Sequence, residues 1–216
     1  MLEKMGGFFN RRLDGYEEHQ LNAIEQAEFF YPFTAEQLPA SAHARVLDLG
    51  CGTGLELDYY FARTPTAEVT GIDLSGDMLN VLQQKYPDKV MTLIEGSYFT
   101  IPLGGNCYEA AVSVESLHHF TQAEKIPLYR NVFRALVPGG GLILTDYFAE
   151  SDEREAFFHC ELQRLKAEQG IRDDAFYHYD TPLTVAHERE ALQKADFLRV
   201  EELGRWGVTH LLRAEK

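Results

Sequence analysis

Five short apolar runs mark the first two thirds of the chain, at residues 45–49, 68–73, 90–94, 110–114 and 142–145. Each is rich in β-branched residues and nearly continuous in apolar character, the pattern of strands covered on both faces. Between them, apolar positions recur at helical spacing. Ser75, with Asp77 in the following turn, starts a helix through Met78, Leu82 and Tyr86. Thr121 and Glu124 form an S/T-x-x-E capping box, after which Ile126, Tyr129, Phe133 and Val137 share one helical face. Val137-Pro138-Gly139-Gly140 then ends that helix and turns the chain into the next strand. Strand centres lie roughly 20 residues apart, which fits βα units joined by right-handed crossovers. The pattern predicts a doubly wound α/β fold with a mostly parallel sheet and helices on both faces.

The last third changes character. Residues 151–170 read as a charged amphipathic helix with Phe158, Leu162 and Leu165 on one side. Residues 171–181 are aromatic and polar without clear period, and Thr184 caps a further helix through Leu192. Residues 197–206 and 207–214 read as two strands joined at Arg205-Trp206-Gly207, an antiparallel hairpin at the sheet edge. The first 40 residues read as mostly helical.

Composition narrows the class. The 216 residues suffice for one sizeable core, and 45% hydrophobic with 25% charged residues is ordinary globular usage. Acidic residues outnumber basic ones 34 to 20, a formal charge of −14. Such a surface repels phosphate backbones, so no nucleic acid is expected as a partner. Cys51, Cys107 and Cys160 share no C-x-x-C spacing and read as reduced thiols, with no zinc site suggested. No stretch resembles a signal peptide or approaches 18 uninterrupted apolar residues, so a cytoplasmic protein away from the membrane is expected.

The most informative stretch is Val46-Leu47-Asp48-Leu49-Gly50-Cys51-Gly52-Thr53-Gly54-Leu55: strand, tight glycine turn, helix start. Glycines there allow positive φ and close approach of a ligand to the backbone. The spacing is G-x-G-x-G, one residue shorter than the dinucleotide fingerprint, and no Gly-Lys-Ser/Thr follows it. Asp73 lies 19 residues after Gly54, at the end of the second strand, where a carboxylate can accept two hydrogen bonds from a ribose diol.

Asp48-Leu49-Gly50-Cys51-Gly52-Thr53-Gly54, then Gly71-Ile72-Asp73-Leu74-Ser75 with Met78, then Leu136-Val137-Pro138-Gly139-Gly140-Gly141, resembles the seven-stranded S-adenosylmethionine-dependent methyltransferases, small-molecule type. The resemblance covers residues 45–147, and the terminal hairpin fits the family's antiparallel last strand. It implies that the backbone of Gly50, Cys51, Gly52 and Gly54 cradles the amino-acid end of S-adenosylmethionine. Asp73 would hold the ribose, and Asp48 would anchor the loop or the cofactor's ammonium. Leu74 and Met78 would lie against the adenine. Many relatives place an aspartate beside the adenine after the third strand, whereas this chain reads Glu95-Gly96-Ser97-Tyr98-Phe99. Gly96, Ser97 and Tyr98 are the corresponding candidates, by hydrogen bonding and stacking. Tyr16 is a candidate lid residue, and Glu115 touches the cofactor by position. One domain over 1–216 is implied: a helical lid (1–40), a cofactor-binding core (41–148), a helical substrate-side insertion (149–196) and the hairpin (197–216).

A sulfonium makes its methyl electrophilic, and the protein must then orient a nucleophile and exclude water. After the fourth strand come Ser116-Leu117-His118-His119, and His118 and His119 are the candidate catalytic residues, as bases toward a small-molecule acceptor. A metal site needs more ligands than the sequence offers near them, so none is expected. The aromatic stretch 175–180 is a candidate wall of the acceptor cavity. Methylation of a protein or tRNA site and a non-catalytic S-adenosylmethionine-binding module stay open as alternatives, as does the choice between monomer and homodimer.

Overall fold

The computed structural model describes residues 1–13, 15–173 and 175–216. Three helices, α1 (Met5–Asn10), α2 (Tyr16–Ala23) and α3 (Ala27–Glu36), precede the sheet. The chain then alternates through β1 (Arg45–Leu49), α4 (Leu55–Arg63), β2 (Glu68–Asp73), α5 (Gly76–Lys85), β3 (Val90–Glu95), β4 (Tyr108–Val114), α6 (Gln122–Ala135) and β5 (Leu136–Tyr147). It closes with α7 (Asp152–Glu168), α8 (Val185–Lys194), β6 (Arg199–Trp206) and β7 (Thr209–Glu215). The strands form one seven-stranded sheet in the order β3-β2-β1-β4-β5-β7-β6. β1 to β5 pair in parallel, and β7 joins β5 and β6 antiparallel. This is the predicted doubly wound architecture with its antiparallel terminal hairpin.

Alternation along the strands explains the two-sided core. On one face Leu47, Leu49, Ala111, Leu142 and Leu144 pack with Leu128, Tyr129 and Val132 of α6 and with Ala191 and Leu192 of α8. On the other face Val46, Val69, Val112 and Ile143 pack with Phe30 and Tyr31 of α3, Leu57 and Tyr60 of α4, and Leu82 of α5. Caps form as the sequence predicts: Ser75 accepts from Met78 N, Thr121 and Glu124 complete the capping box, and Thr184 accepts from His187 N.

Two local expectations are corrected. β5 starts at Leu136, so Val137 is strand and not the last turn of α6. Pro138 disfavours helical geometry at Val137, and Leu136 is already extended (φ −71°, ψ 145°). The Val137–Gly140 stretch bulges where Tyr108 pairs Leu136 and Ala110 pairs Gly141. Second, β3 is an edge strand with an alternating pattern, and Val90 is 61% exposed, so it is not covered on both faces. The charged helix expected over 151–170 forms as α7, with Phe158, Leu162 and Leu165 half-buried. Among the described residues no helix is long and apolar enough to cross a membrane.

From β1 the chain moves outward to β2 and β3, then returns past β1 to β4. That reversal opens a crevice beyond the carboxyl ends of β1 and β4, the standard ligand position of such sheets.

Candidate functional site

A cleft occupies that crevice. Gly50 and Gly52 after β1, Asp73 and Leu74 at the end of β2, Met78 of α5, Tyr98, Val114, Glu115 and Ser116 after β4, and His119 line it. Met5 and Phe9 of α1 and Tyr16 of α2 complete the wall. Tyr16, Gly50, Gly52, Asp73, Leu74, Met78, Tyr98, Glu115 and His119 were all singled out in the sequence and come together here. Met5, Phe9, Val114 and Ser116 were not.

The glycine turn has its conformation for two different reasons. Gly50 has φ +76°, and a Cβ there would stand 2.1 Å from Ser116 Oγ, so the loop after β4 leaves no room for a side chain. Gly52 has φ +49°, and a Cβ there would face Tyr16 Oη at 3.7 Å, inside the cleft. Gly52 N donates to Asp73 Oδ2 at 2.9 Å, and Ser75 N donates to Asp73 Oδ1 at 2.8 Å. The carboxylate therefore braces the turn, and each oxygen keeps a lone pair for the cleft. Burial raises its pKa, and the backbone N–H donors of Ser75, Gly52 and Leu74 oppose that rise.

The remaining predicted residues lie around the cleft without lining it. Asp48 is 1% exposed, with burial and then the Glu56 carboxyl raising its pKa well above the usual carboxylate range. Asp48 Oδ2 and Glu56 Oε1 are buried without a hydrogen-bond partner among the described residues. Cys51 packs its sulfur against Gly71, and Gly54 is the N-cap of α4. Ser97 caps the turn that follows β3, accepting from Phe99 N through Oγ, and Gly96 faces Ile101. Phe99 packs with Phe120 and Phe176, and this aromatic group adjoins the cleft through Tyr98, whose ring centroid lies 5.1 Å from that of Phe99.

At the far end of the cleft stands a titratable cluster. Glu115 has φ +48°, an unusual conformation for a non-glycine residue and one that concentrates at functional sites. Burial first, then the Asp146 charge, pushes its carboxyl up to about 7. A short 3₁₀ turn, Leu117–His119, follows. His118 Nδ1 lies 2.6 Å from Asp146 Oδ1. Burial pulls the His118 pKa down, and Asp146 more than reverses this, lifting it to about 9. Burial, and then the neighbouring His118 charge, hold the His119 pKa below the ordinary imidazole value.

A second cavity shares His119 with the cleft and is lined by Phe120, Leu162, Lys166, Phe176 and Tyr177 among others. Of the aromatic stretch 175–180, Phe176 and Tyr177 reach this cavity, whereas His178 stacks on Phe8 with ring centroids 3.4 Å apart.

The donors fit a sulfonium nucleoside carrying an amino acid. A cradle that a Cβ would fill, a carboxylate lining the cleft, apolar walls and carboxyl oxygens without a partner among the described residues suit its parts.

Comparison with known proteins agrees. Residues 46–140 match the family model described as a methyltransferase domain. The fatty-acid O-methyltransferase of Mycolicibacterium smegmatis is 28% identical over 167 residues, covering 73% of this chain and 58% of that protein. An uncharacterized methyltransferase of Bacillus subtilis, YdaC, is 29% identical over 120 residues, 56% of this chain and 65% of the relative. The chain thus spans less than two thirds of these curated relatives. Among solved structures, an S-adenosylmethionine-dependent methyltransferase from Mesorhizobium loti superposes with a TM-score of 0.62 at 22% identity, covering 86% of this chain and 96% of its own. Human N-acetylserotonin methyltransferase in complex with SAM gives 0.67 at 16% identity, covering 98% of this chain and 56% of its own.

Proposed function

We propose, from the premise that the chain belongs to the methyltransferase-domain family of Rossmann-like fold, that it transfers a methyl group from S-adenosylmethionine to a small-molecule acceptor. One observation carries this reading: the Gly50–Gly52 turn and the Asp73 carboxylate wall the same cleft and are hydrogen-bonded to each other.

When bound, the cofactor supplies an electrophilic methyl on sulfur. The chain's own residues then do the binding and shaping. Backbone around Gly50 and Gly52 receives the amino-acid end, with Asp48 and Glu56 beneath it as the acidic counterpart of an ammonium. Asp73 accepts from the ribose hydroxyls. Leu74, Met78 and Tyr98 form apolar walls for the base, and Gly96 and Ser97 precede Tyr98 in the turn after β3. Met5, Phe9 and Tyr16 cover the cleft and exclude water. Orientation of this kind contributes roughly 7–11 kcal/mol to such a displacement.

The acceptor comes from the other side. His119 is the wall shared by the cleft and the second cavity, so an acceptor seated against Phe176 and Tyr177 meets the cofactor at the histidines. The net charge of −14 favours a small molecule over a nucleic acid.

Isothermal titration calorimetry with S-adenosylmethionine and its demethylated product tests the reading. Binding of both, followed by product formation in a panel of small hydroxy, amino and carboxylic acceptors, is the expected result. Failure to bind either nucleoside overturns it.

A further inference from the structure

The sequence shows two adjacent histidines and no third ligand nearby; the fold supplies one from 61 residues beyond His119. Asp180 Oδ1 lies 3.2 Å from His119 Nδ1 and 3.6 Å from His118 Nε2. The strand-less segment that carries Asp180 is pinned to the turn, because Thr181 N donates to His118 O at 2.8 Å. Two imidazole nitrogens and one carboxylate oxygen therefore converge within 4.8 Å of one another.

We propose that His118, His119 and Asp180 form a binding site for a divalent transition-metal ion at the acceptor end of the cleft. Two ligands held about 2.0–2.2 Å from one ion stand about 3–3.5 Å apart, which the 3.2 and 3.6 Å separations already approximate. The donor set of two imidazoles and one carboxylate suits zinc, cobalt or ferrous iron over calcium or magnesium, which take oxygen ligands. Three protein ligands leave coordination positions open for an exogenous oxygen or nitrogen.

The surroundings are those of a metal-ligand histidine. Asp146 engages His118 Nδ1 and is itself fixed by the N–H groups of Leu117 (2.8 Å) and Tyr147 (2.9 Å). That leaves Nε2 as the nitrogen turned to Asp180, the carboxylate–histidine–metal arrangement. His119 also approaches Tyr179 O at 3.3 Å, so without an ion its Nδ1–H is shared between that carbonyl and Asp180. Both histidines are 8% exposed, and His119 borders the cleft. An ion here would hold the acceptor through an oxygen atom beside the methyl group. That last consequence rests on the methyltransferase reading, whereas the site itself does not.

Cobalt is the probe. The full chain, dialysed against chelator, is titrated with Co²⁺ while visible d–d absorption is recorded, and Zn²⁺ competition is measured in the same cuvette. One cobalt per chain, displaced by zinc, is expected. Asp180→Asn should weaken cobalt binding at least tenfold while leaving affinity for the demethylated cofactor product unchanged. His118→Gln provides a second variant, with circular dichroism as the check on folding. Absence of d–d bands in the wild type, or equal cobalt affinity in wild type and folded Asp180→Asn, overturns the site. Product binding without cobalt binding removes the metal and leaves the methyltransferase reading; cobalt binding without product binding does the reverse.

Discussion

Gly52 N donates to Asp73 Oδ2 at 2.9 Å, which ties the turn after β1 to the tip of β2 beside the backbone bond from Gly50 N to Ile72 O at 2.8 Å. Asp73 thus has two duties: it braces the loop and it faces the cleft. Asp73→Ala should weaken binding of the demethylated cofactor product by about 1.5–3 kcal/mol, the range for hydrogen bonds to a charged group. It should also lower the melting temperature, because the N–H groups of Gly52 and Ser75 lose their acceptor. Calorimetry and a thermal melt on the same preparation check both, and an unchanged dissociation constant removes Asp73 from the site.

Gly52→Val tests the turn from the other side. The new side chain would point into the cleft toward Tyr16, at φ +49°, which a β-branched residue tolerates poorly. Binding of either nucleoside should fall below detection while the circular dichroism spectrum keeps its native shape. A variant that binds normally contradicts the placement of the turn.

The parts of the site legible in the sequence are those fixed by local backbone chemistry. A glycine turn between an apolar run and a helix start, and an acidic residue at the next strand's end, need only nearest neighbours to be read. The cover did not share that property: Met5 and Phe9 reach the cleft because α1 folds back against α5, which no periodicity encodes. Asp180 belongs to an aperiodic segment, and its closeness to His119 arises from a backbone hydrogen bond to His118. Glu115 gave no glycine signal for its left-handed backbone. The α6–β5 boundary moved because Pro138 acts on the residue before it, and the sequence reading let helical spacing outweigh that restriction.

Asp48 predicts a pH signature. Its folded-state pKa is raised by burial and by Glu56, with Asp73 adding further negative charge, and Lys85 acts on Glu56 in the opposite direction. A carboxyl raised on folding contributes stability that is present below its unfolded pKa of about 3.9 and is lost as pH rises through the folded value. Asp48→Asn removes that loss. The melting temperature of the variant minus that of the wild type, without cofactor, should therefore increase as pH is taken from 4 toward neutrality. A difference that stays constant over this range refutes the assignment. Nucleoside affinity should fall in the same variant, since the ammonium loses its acidic counterpart.

The N-terminal cover should tighten when the cleft fills. Phe9 sits edge-on to Tyr16 and to His119, with ring centroids 6.5 Å apart in both pairs. Removing such aromatic contacts costs about 0.5–1.5 kcal/mol beyond area burial. Phe9→Ala should weaken nucleoside binding by about that amount. Amide exchange over residues 1–23 should slow when the nucleoside is added to the wild type, and unchanged exchange would separate this segment from the site.

The buried pair Lys125–Glu188 gives a stability prediction independent of any ligand. Lys125 of α6 is 1% exposed and Glu188 of α8 is 0% exposed. Glu188 accepts from Lys125 Nζ with one oxygen and from Tyr129 Oη with the other. Desolvating two charges costs several kcal/mol per ion, repaid only while both partners and their hydrogen bonds are present. Glu188→Gln leaves the Lys125 ammonium buried without its counter-ion, and should destabilise the chain by about 3–5 kcal/mol in urea unfolding. Replacing both, as Lys125→Met with Glu188→Leu, removes the charges together and should recover most of that loss, even though Tyr129 Oη then lacks an acceptor. If the double variant is no more stable than Glu188→Gln, then the hydrogen bond from Tyr129, and not the paired charge, is what holds α6 to α8.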